Sequence, residues 1–228
     1  MLGKPRLHFR VTDSTNARAR ELADGGAVHG TLVTAGEQTA GRGRQARTWS
    51  APAEQALLMS VVLREWPALL PLAVAVAVAE VAGERARIKW PNDVLLDGGK
   101  IGGILVEAQP QQGWAVAGIG LNVAVDLAAL PPELQATAGT LGRLPADVEP
   151  TLGRLLAQLD RWLARSASEL LAAYRARDAL AGREISWADD EGRAAGVDEQ
   201  GRLLVDTDSG RVTLDAGEVH LGALRRGC

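Results

Sequence analysis

Short apolar runs alternate along the chain with longer stretches whose leucine, alanine and valine residues recur at helical spacing. Runs rich in β-branched residues predict strands at 7–11, 31–35, 57–63, 87–90, 101–107 and 114–123. Helices are predicted at 14–23, 68–79, 152–163 and 168–180. Together these elements predict an α+β fold in which helices flank a mixed, largely antiparallel sheet.

The segment 68–79 carries no charge and is rich in Ala, Val and Leu. The Ala-Val alternation at 73–78 also fits a strand, but the length and alanine content favour a helix. Spanning a bilayer takes about 18–20 apolar residues, and this run is interrupted by Pro71 and closed by Glu80. We therefore expect a buried helix and no membrane partner.

After residue 183 the pattern changes to short β-like runs separated by turn residues. These runs lie at 184–187, 192–197, 203–207 and 212–214. Several short strands within about fifty residues predict a small barrel appended to the main domain. We predict two domains, at 1–180 and 181–228.

Composition supports a globular protein and limits its partners. The 228 residues are 46% hydrophobic and 23% charged, which allows a real core. The net charge of -3 and only eight aromatic residues argue against nucleic acid as the main partner. Cys228 is the single cysteine, so no intrachain disulfide can form. Because the N-terminus does not resemble a secretory signal, we expect a cytoplasmic protein.

Four short motifs carry candidate chemistry, and the first is the Gly-Arg loop at 41–49. Arg42, Arg44 and Arg47 lie among small and flexible residues, so their guanidinium groups could wrap an anion. Taken alone, the loop also fits a solvated basic loop or an Arg-Gly contact to RNA.

The second motif holds two of the three lysines in a chain that has 25 basic residues. Lys89 begins Lys-Trp-Pro-Asn-Asp, and Lys100 lies in Gly-Lys-Ile-Gly-Gly-Ile-Leu. This bias suggests a need for a compact ammonium group against a carboxylate or phosphate. Gly102 and Gly103 would let a ligand approach the backbone closely. The alternative is a surface hairpin with an exposed lysine.

The third and fourth motifs are weaker. In Gly-Ile-Gly-Leu-Asn-Val at 118–123, the amide of Asn122 could meet a base edge such as that of adenine, although the glycines also fit close packing. In Asp-Ser-Thr-Asn at 13–16, the polar groups fit simple helix capping or a small ligand at a helix N-terminus.

In this order, the four motifs resemble those of the biotin protein ligases, the biotin–acetyl-CoA-carboxylase ligases. The likeness covers nearly the whole chain and includes 196–205 and 216–219, which resemble the family's SH3-like C-terminal barrel. One departure is Ala46, where the family loop usually has glycine. Family members that act as repressors carry an N-terminal winged-helix domain. Only 13 residues precede Ser14, so we expect no such domain and no DNA partner.

The resemblance implies a catalytic domain of the class II synthetase type and a two-step reaction. Biotin and MgATP would give biotinyl-5′-adenylate and pyrophosphate. A lysine of a biotin carboxyl carrier protein, for example that of acetyl-CoA carboxylase, would then attack the adenylate and release AMP. Family members often pair through their sheets, so the resemblance also allows a homodimer.

The resemblance also assigns roles to individual residues. Catalytic roles fall to Arg44, Arg47, Asp93 and Lys100. The biotin contacts would be Ser14, Thr15, Asn16, Gln38, Gly41, Arg42, Lys100, Gly102 and Gly103. The ATP and adenylate contacts would be Arg42, Arg44, Arg47, Trp49, Asn92, Lys100, Ile119 and Asn122. Mg²⁺ would enter on the ATP phosphates, with no dedicated protein ligand.

Two other functions stay open at this point. A ligase for a different acid, such as lipoate, would share the fold and the adenylation chemistry, but the Gly-Arg-Gly-Arg loop and the expected barrel favour biotin. A non-catalytic nucleic-acid-binding protein would use the Gly-Arg loop on phosphates, which the negative net charge and the few aromatic residues disfavour.

Overall fold

A computed structural model describes residues 1–222, so Cys228 lies outside the described residues. Its main part contains a seven-stranded sheet in the spatial order β1-β2-β3-β7-β6-β5-β4. The strands are β1 (Arg6–Thr12), β2 (Leu32–Gln38), β3 (Ala56–Leu63), β4 (Arg87–Lys89), β5 (Asp93–Leu96), β6 (Gly99–Gln109) and β7 (Trp114–Asn122). β1 and β2 run parallel, and the other neighbouring pairs run antiparallel. The predicted mixed, largely antiparallel sheet is therefore confirmed.

Helices cover this sheet and complete the core. They are α1 (Thr15–Asp24), α2 (Leu70–Ala82), α3 (Pro132–Gln135), α4 (Val148–Leu163) and α5 (Ala167–Arg175). All side chains from Leu72 to Ala79 are buried, because α2 packs between the sheet on one side and α4 and α5 on the other. This confirms the helix predicted there. Within residues 1–222, no helix combines the length and hydropathy that a bilayer span requires.

The C-terminal residues form a second sheet in the order β11-β10-β9-β8-β12. Its strands are β8 (Glu184–Trp187), β9 (Asp190–Val197), β10 (Leu203–Thr207), β11 (Gly210–Leu214) and β12 (His220–Leu221). Among the described residues all its neighbouring strands pair antiparallel, and β11 and β12 do not pair with each other. The expected small β unit is present, but it is an open sheet and not a closed barrel.

The two sheets share one apolar core. Ile185, Val205 and Val219 belong to the same buried cluster as the residues of α2. The Trp90 indole N–H also donates to the backbone oxygen of Gly201 at 3.1 Å. The predicted boundary at 180/181 falls between α5 and β8 and stays a prediction, because the apolar contacts continue across it.

A buried polar pair lies just before the second sheet. The Tyr174 hydroxyl and the Asp178 Oδ2 atom are buried without a hydrogen-bond partner. Burial, more than the nearby Asp178 charge, raises the pKa of Tyr174, and burial also raises the pKa of Asp178. The folded chain therefore holds the Asp178 proton more tightly than the unfolded chain does. Its contribution to stability falls as the pH rises through the raised pKa.

We expect Asp178→Asn to increase the free energy of unfolding at neutral pH by about 1 kcal/mol, since it removes a charge that is costly to bury. The variant keeps an acceptor for the Leu180 N–H, which Oδ1 now receives at 2.8 Å. The gain should shrink at acidic pH, where the carboxyl is already protonated. Urea unfolding of both proteins at two pH values checks this, and a pH-independent difference would contradict it.

Candidate active site

A cavity of about 620 Å³ lies between the Gly-Arg loop, strands β5 to β7 and residues 217–221. All four sequence motifs contribute to its walls. Its size is that of a small-molecule site, which typically takes up about 300–1,000 Å³.

One end of the cavity is polar and largely uncharged. Ser14, Thr15 and Asn16 are buried there at the start of α1. Both the backbone N–H and the hydroxyl of Thr15 donate to Gln38 Oε1, at 2.7 and 3.0 Å. Ser14 makes no side-chain capping bond to the helix. The motif thus positions polar groups at the cavity, which agrees with the ligand interpretation better than with simple capping.

The Gly-Arg loop folds back over the cavity as a short hairpin. Gly43 N–H donates to Arg47 O at 2.7 Å, and Trp49 N–H donates to Gly41 O at 3.0 Å. The side chains of Arg42, Arg44 and Arg47 line the cavity. Burial lowers the pKa of Arg44. The loop is therefore a local structure that brings three guanidinium groups to one site.

Ala46, where the resembled loop has glycine, adopts the left-handed conformation with φ 58°. This conformation costs a residue with a Cβ atom about 1–2 kcal/mol. We expect Ala46→Gly to stabilise the protein by about 0.5 kcal/mol, because the added flexibility of the unfolded chain offsets part of the relief. Ala53, exposed and without positive φ, offers a control, and Ala53→Gly should destabilise. Urea unfolding of both variants checks this. A change in the free energy of unfolding with the same sign in both variants would contradict the prediction.

Two lysines flank one carboxylate on strands β4 to β6. Lys89 pairs in register with Asp93, and Lys100 Nζ lies 2.7 Å from Asp93 Oδ1. This contact is an ion pair that lacks hydrogen-bond geometry at Oδ1. Burial lowers the pKa of Lys89. Both lysines line the cavity, so the alternative of a surface hairpin with an exposed lysine is not supported.

The floor of the cavity is made by Trp49 against two glycines. A Cβ atom on Gly103 would lie 2.9 Å from the indole, and one on Gly120 would lie only 2.4 Å from it. The glycines of β6 and β7 thus make room for this ring. The Lys100 ammonium lies 5.7 Å from the Trp49 ring centre. The Trp49 Nε1 atom is buried and has no partner within residues 1–222.

Asn92 and Ile119 complete the wall beside Trp49. The Asn92 side-chain amide donates to Ile104 O at 3.2 Å, and its backbone oxygen accepts from Ile104 N–H at 3.0 Å. These bonds tie the Lys-Trp-Pro-Asn-Asp turn to β6.

Three predicted site residues do not line the cavity. Gly102 faces α2, where an added Cβ would contact Val78 at 3.5 Å, because neighbouring strand residues face opposite sides of the sheet. Gly41 packs behind the Trp49 backbone. The buried amide of Asn122 donates to Gly139 O at 2.9 Å and holds that segment in place. These three residues lie outside the cavity wall, and their assignment as ligand contacts stays a prediction.

The residue roles implied by the sequence left out Lys89, although the second motif contains it, and residues from the C-terminal part of the chain. Glu218 and His220 line the cavity, and Glu218 forms an ion pair with Arg47 of the loop. The sequence gives these residues no role at the site, since 216–219 matches only the resembled C-terminal unit, and more than 160 residues separate Glu218 from the loop it contacts. Asp93 and Glu218 are the carboxylates that line the cavity, and each is already paired with a cation.

The charge balance indicates what the cavity can bind. Its cations are Arg42, Arg44, Arg47, Lys89 and Lys100, against two carboxylates. Within residues 1–222, no group of three or more His, Cys, Asp or Glu side chains is arranged to hold a metal ion. The excess of positive charge suits a polyanion such as a nucleotide triphosphate. The uncharged polar end suits a neutral ligand group that needs hydrogen bonds.

Comparison with known proteins places the chain in a family. Residues 8–124 match the model of the biotin/lipoate A/B protein ligase family, and residues 183–222 match that of the biotin protein ligase C-terminal domain. The biotin–[acetyl-CoA-carboxylase] ligase of Mycobacterium tuberculosis is 37% identical over 92% of this chain and 86% of its own length. That of Paracoccus denitrificans is 35% identical over 92% and 98%.

Solved structures agree with these matches. Biotin protein ligase from Aquifex aeolicus, in complex with biotin and ATP, superposes with a TM-score of 0.78 at 27% identity and covers 96% of this chain and 99% of its own. The matched regions contain the cavity residues of both sheets. The chain therefore belongs to the biotin/lipoate A/B protein ligase family.

Proposed function

We propose that the protein is an ATP-dependent biotin protein ligase, which forms biotinyl-5′-adenylate and then transfers biotin to a lysine of a biotin carboxyl carrier protein. The observation that carries this proposal is the cavity, in which an uncharged polar end lies beside five cationic side chains. Two relatives that match 92% of this chain are named biotin–[acetyl-CoA-carboxylase] ligases, and the protein is accordingly an enzyme.

In the first step, the biotin carboxylate oxygen attacks the α-phosphorus of ATP, and the bond from that phosphorus to the β-phosphate oxygen breaks. The electron pair leaves with pyrophosphate. Carboxylate and triphosphate repel each other, at about 1 kcal/mol per pair of unit charges 4 Å apart even in water. Lys100 would contact the carboxylate and the α-phosphate, while Arg44 and Arg47 would hold the phosphates.

Mg²⁺ would enter this site on the ATP phosphates. The two cavity carboxylates, Asp93 and Glu218, are already ion-paired, which fits a metal held mainly by phosphate oxygens. The ion would add positive charge where negative charge develops on the phosphates.

In the second step, a neutral lysine amine of the carrier attacks the adenylate carbonyl, and AMP leaves with the electron pair. Asp93 would orient this amine and take its proton, a role supported by its position in the cavity wall. The Gly-Arg loop and Trp49 would keep water from the anhydride meanwhile.

The two ends of the cavity would then bind different substrates. Ser14, Thr15, Asn16, Gln38 and Arg42 would bind biotin, whose ureido ring has two N–H donors and one carbonyl acceptor. Trp49, Asn92 and Ile119 would contact the adenosine part of ATP. The polar Thr15 and Gln38 groups favour a cyclic urea over lipoate, because the dithiolane ring of lipoate offers no hydrogen-bond donor.

The proposal is tested by transfer of labelled biotin to a biotin carboxyl carrier domain with MgATP, in the presence and absence of excess lipoate. We expect labelling that needs ATP and is not reduced by lipoate. Pyrophosphate release with biotin but without labelling would keep the adenylation step and reject the chosen carrier. Activity with lipoate alone would favour the other branch of the family. The homodimer, the lack of a DNA partner and the cytoplasmic location stay predictions.

A further inference from the structure

A chain of hydrogen bonds runs from the surface to the polar end of the cavity. The Arg20 guanidinium donates to Glu107 Oε1 at 2.7 Å. The Asn16 side-chain amide donates to Glu107 Oε2 at 2.8 Å and to the Leu105 backbone oxygen at 3.2 Å. Ser60 Oγ lies 2.6 Å from Asn16 Oδ1 and 2.8 Å from Thr15 Oγ1. Arg20, Ser60 and Glu107 do not line the cavity.

Two groups that can only accept hydrogen bonds fix the direction of these bonds. Ionised Glu107 can only accept hydrogen bonds, and so can the Leu105 carbonyl, so the NH₂ end of Asn16 must face them. Its oxygen then faces Ser60, which is completely buried. Since Ser60 has one proton and Asn16 Oδ1 can only accept, that proton is drawn to Asn16 and away from Thr15.

The Thr15 hydroxyl is left as an acceptor. Its own proton has two protein acceptors, Gln38 Oε1 at 3.0 Å and Ser60 Oγ at 2.8 Å. With either choice, Thr15 Oγ1 receives no hydrogen bond from Ser60. The oxygen can therefore offer its lone pairs to an N–H group in the cavity.

The close packing around Asn16 supports a fixed orientation of its side-chain amide. An added Cβ atom on Gly118 would lie only 1.8 Å from Asn16 Oδ1, so the amide packs directly on the backbone of β7. Asn16 is 4% exposed. Few other positions of this side chain fit, and Glu107 together with the Leu105 oxygen determines which end of the amide faces Ser60.

We propose that Glu107, through Asn16 and Ser60, is a positioning residue that keeps Thr15 Oγ1 as a hydrogen-bond acceptor for a ring N–H of the ligand. This inference rests on the proposed function, because it takes the ureido ring of biotin as the group that Thr15 meets. If an amide replaces the carboxylate, its NH₂ group can donate to Asn16, which then turns its oxygen to residue 107 and its NH₂ group to Ser60 and gives up its bond to the Leu105 oxygen. The Ser60 proton then moves to Thr15 and competes with the ligand N–H.

The test compares steady-state biotin-dependent pyrophosphate formation for the wild type, Glu107→Gln, Ser60→Ala and the double variant. Glu107→Gln keeps the side-chain shape. We expect it to raise the KM for biotin about tenfold, because one good hydrogen bond to the ligand is lost. The kcat should stay within about twofold of the wild type. Ser60→Ala in the same chain removes the competing proton. The double variant should therefore recover a biotin KM within about threefold of the wild type.

Glu149→Gln is the matched control, because Glu149 is also an arginine-paired surface carboxylate but lies away from the cavity. Its kinetics should equal those of the wild type. An unchanged KM in Glu107→Gln, a raised KM that Ser60→Ala does not rescue, or an equal change in Glu149→Gln would each overturn the positioning role. A wild type that forms no adenylate would instead reject the proposed function itself.

Discussion

Lys100→Ala is expected to slow biotinyl-adenylate formation by about a thousandfold, the loss typical of removing one group that stabilises developing charge. Lys100 is placed at the cavity with its ammonium 2.7 Å from Asp93. The substitution removes a cation from the site and also leaves the Asp93 charge unpaired beside the ATP phosphates. Biotin-dependent exchange of labelled pyrophosphate into ATP measures this first step alone.

Two further variants distinguish a loss of the catalytic group from a general effect on folding. Lys4 is exposed outside the cavity, so Lys4→Ala should leave exchange unchanged. Adding Asp93→Asn to Lys100→Ala should recover part of the exchange rate, because it removes the unpaired carboxylate. Exchange by Lys100→Ala within tenfold of the wild type would contradict the role given to Lys100.

All four motifs meet at one cavity, and each motif fixes a local structure there. The glycine and arginine residues of 41–49 indicate a loop, and Ala-rich sequence indicated α2 in spite of its alternation. β5 (Asp93–Leu96) was missed, because four residues beside a turn show too little periodicity. That strand is what brings Asp93 between Lys89 and Lys100.

Other features depend on which way a side chain faces or on distant contacts. Gly102 and Gly103 are equivalent in the sequence, yet one faces Val78 and the other faces Trp49. The pair between Arg47 and Glu218 depends on how the second sheet packs on the first. Local composition carries no information on either, so only the folded chain could reveal them.

Gly120→Ala is expected to lower the overall rate of biotin transfer by about a hundredfold, since a displacement of about 1 Å at a reacting site can cost this much. The new Cβ would lie 2.4 Å from the Trp49 ring, which must move away. Trp49 belongs to the loop proposed to exclude water, so the bound adenylate should also be hydrolysed faster. The half-life of biotinyl-adenylate on the enzyme, measured without carrier, checks this.

Gly153 in α4 is the matched control, because an added Cβ there meets nothing within 4 Å. Gly153→Ala should keep full activity and stabilise the helix by about 1 kcal/mol. A double variant tests the cause. If Gly120→Ala acts only by displacing the indole, then in a Trp49→Ala background it should cost almost nothing further, since effects that pass through one contact are not additive. Independent, multiplying losses would show that the Gly120 backbone itself meets the substrate.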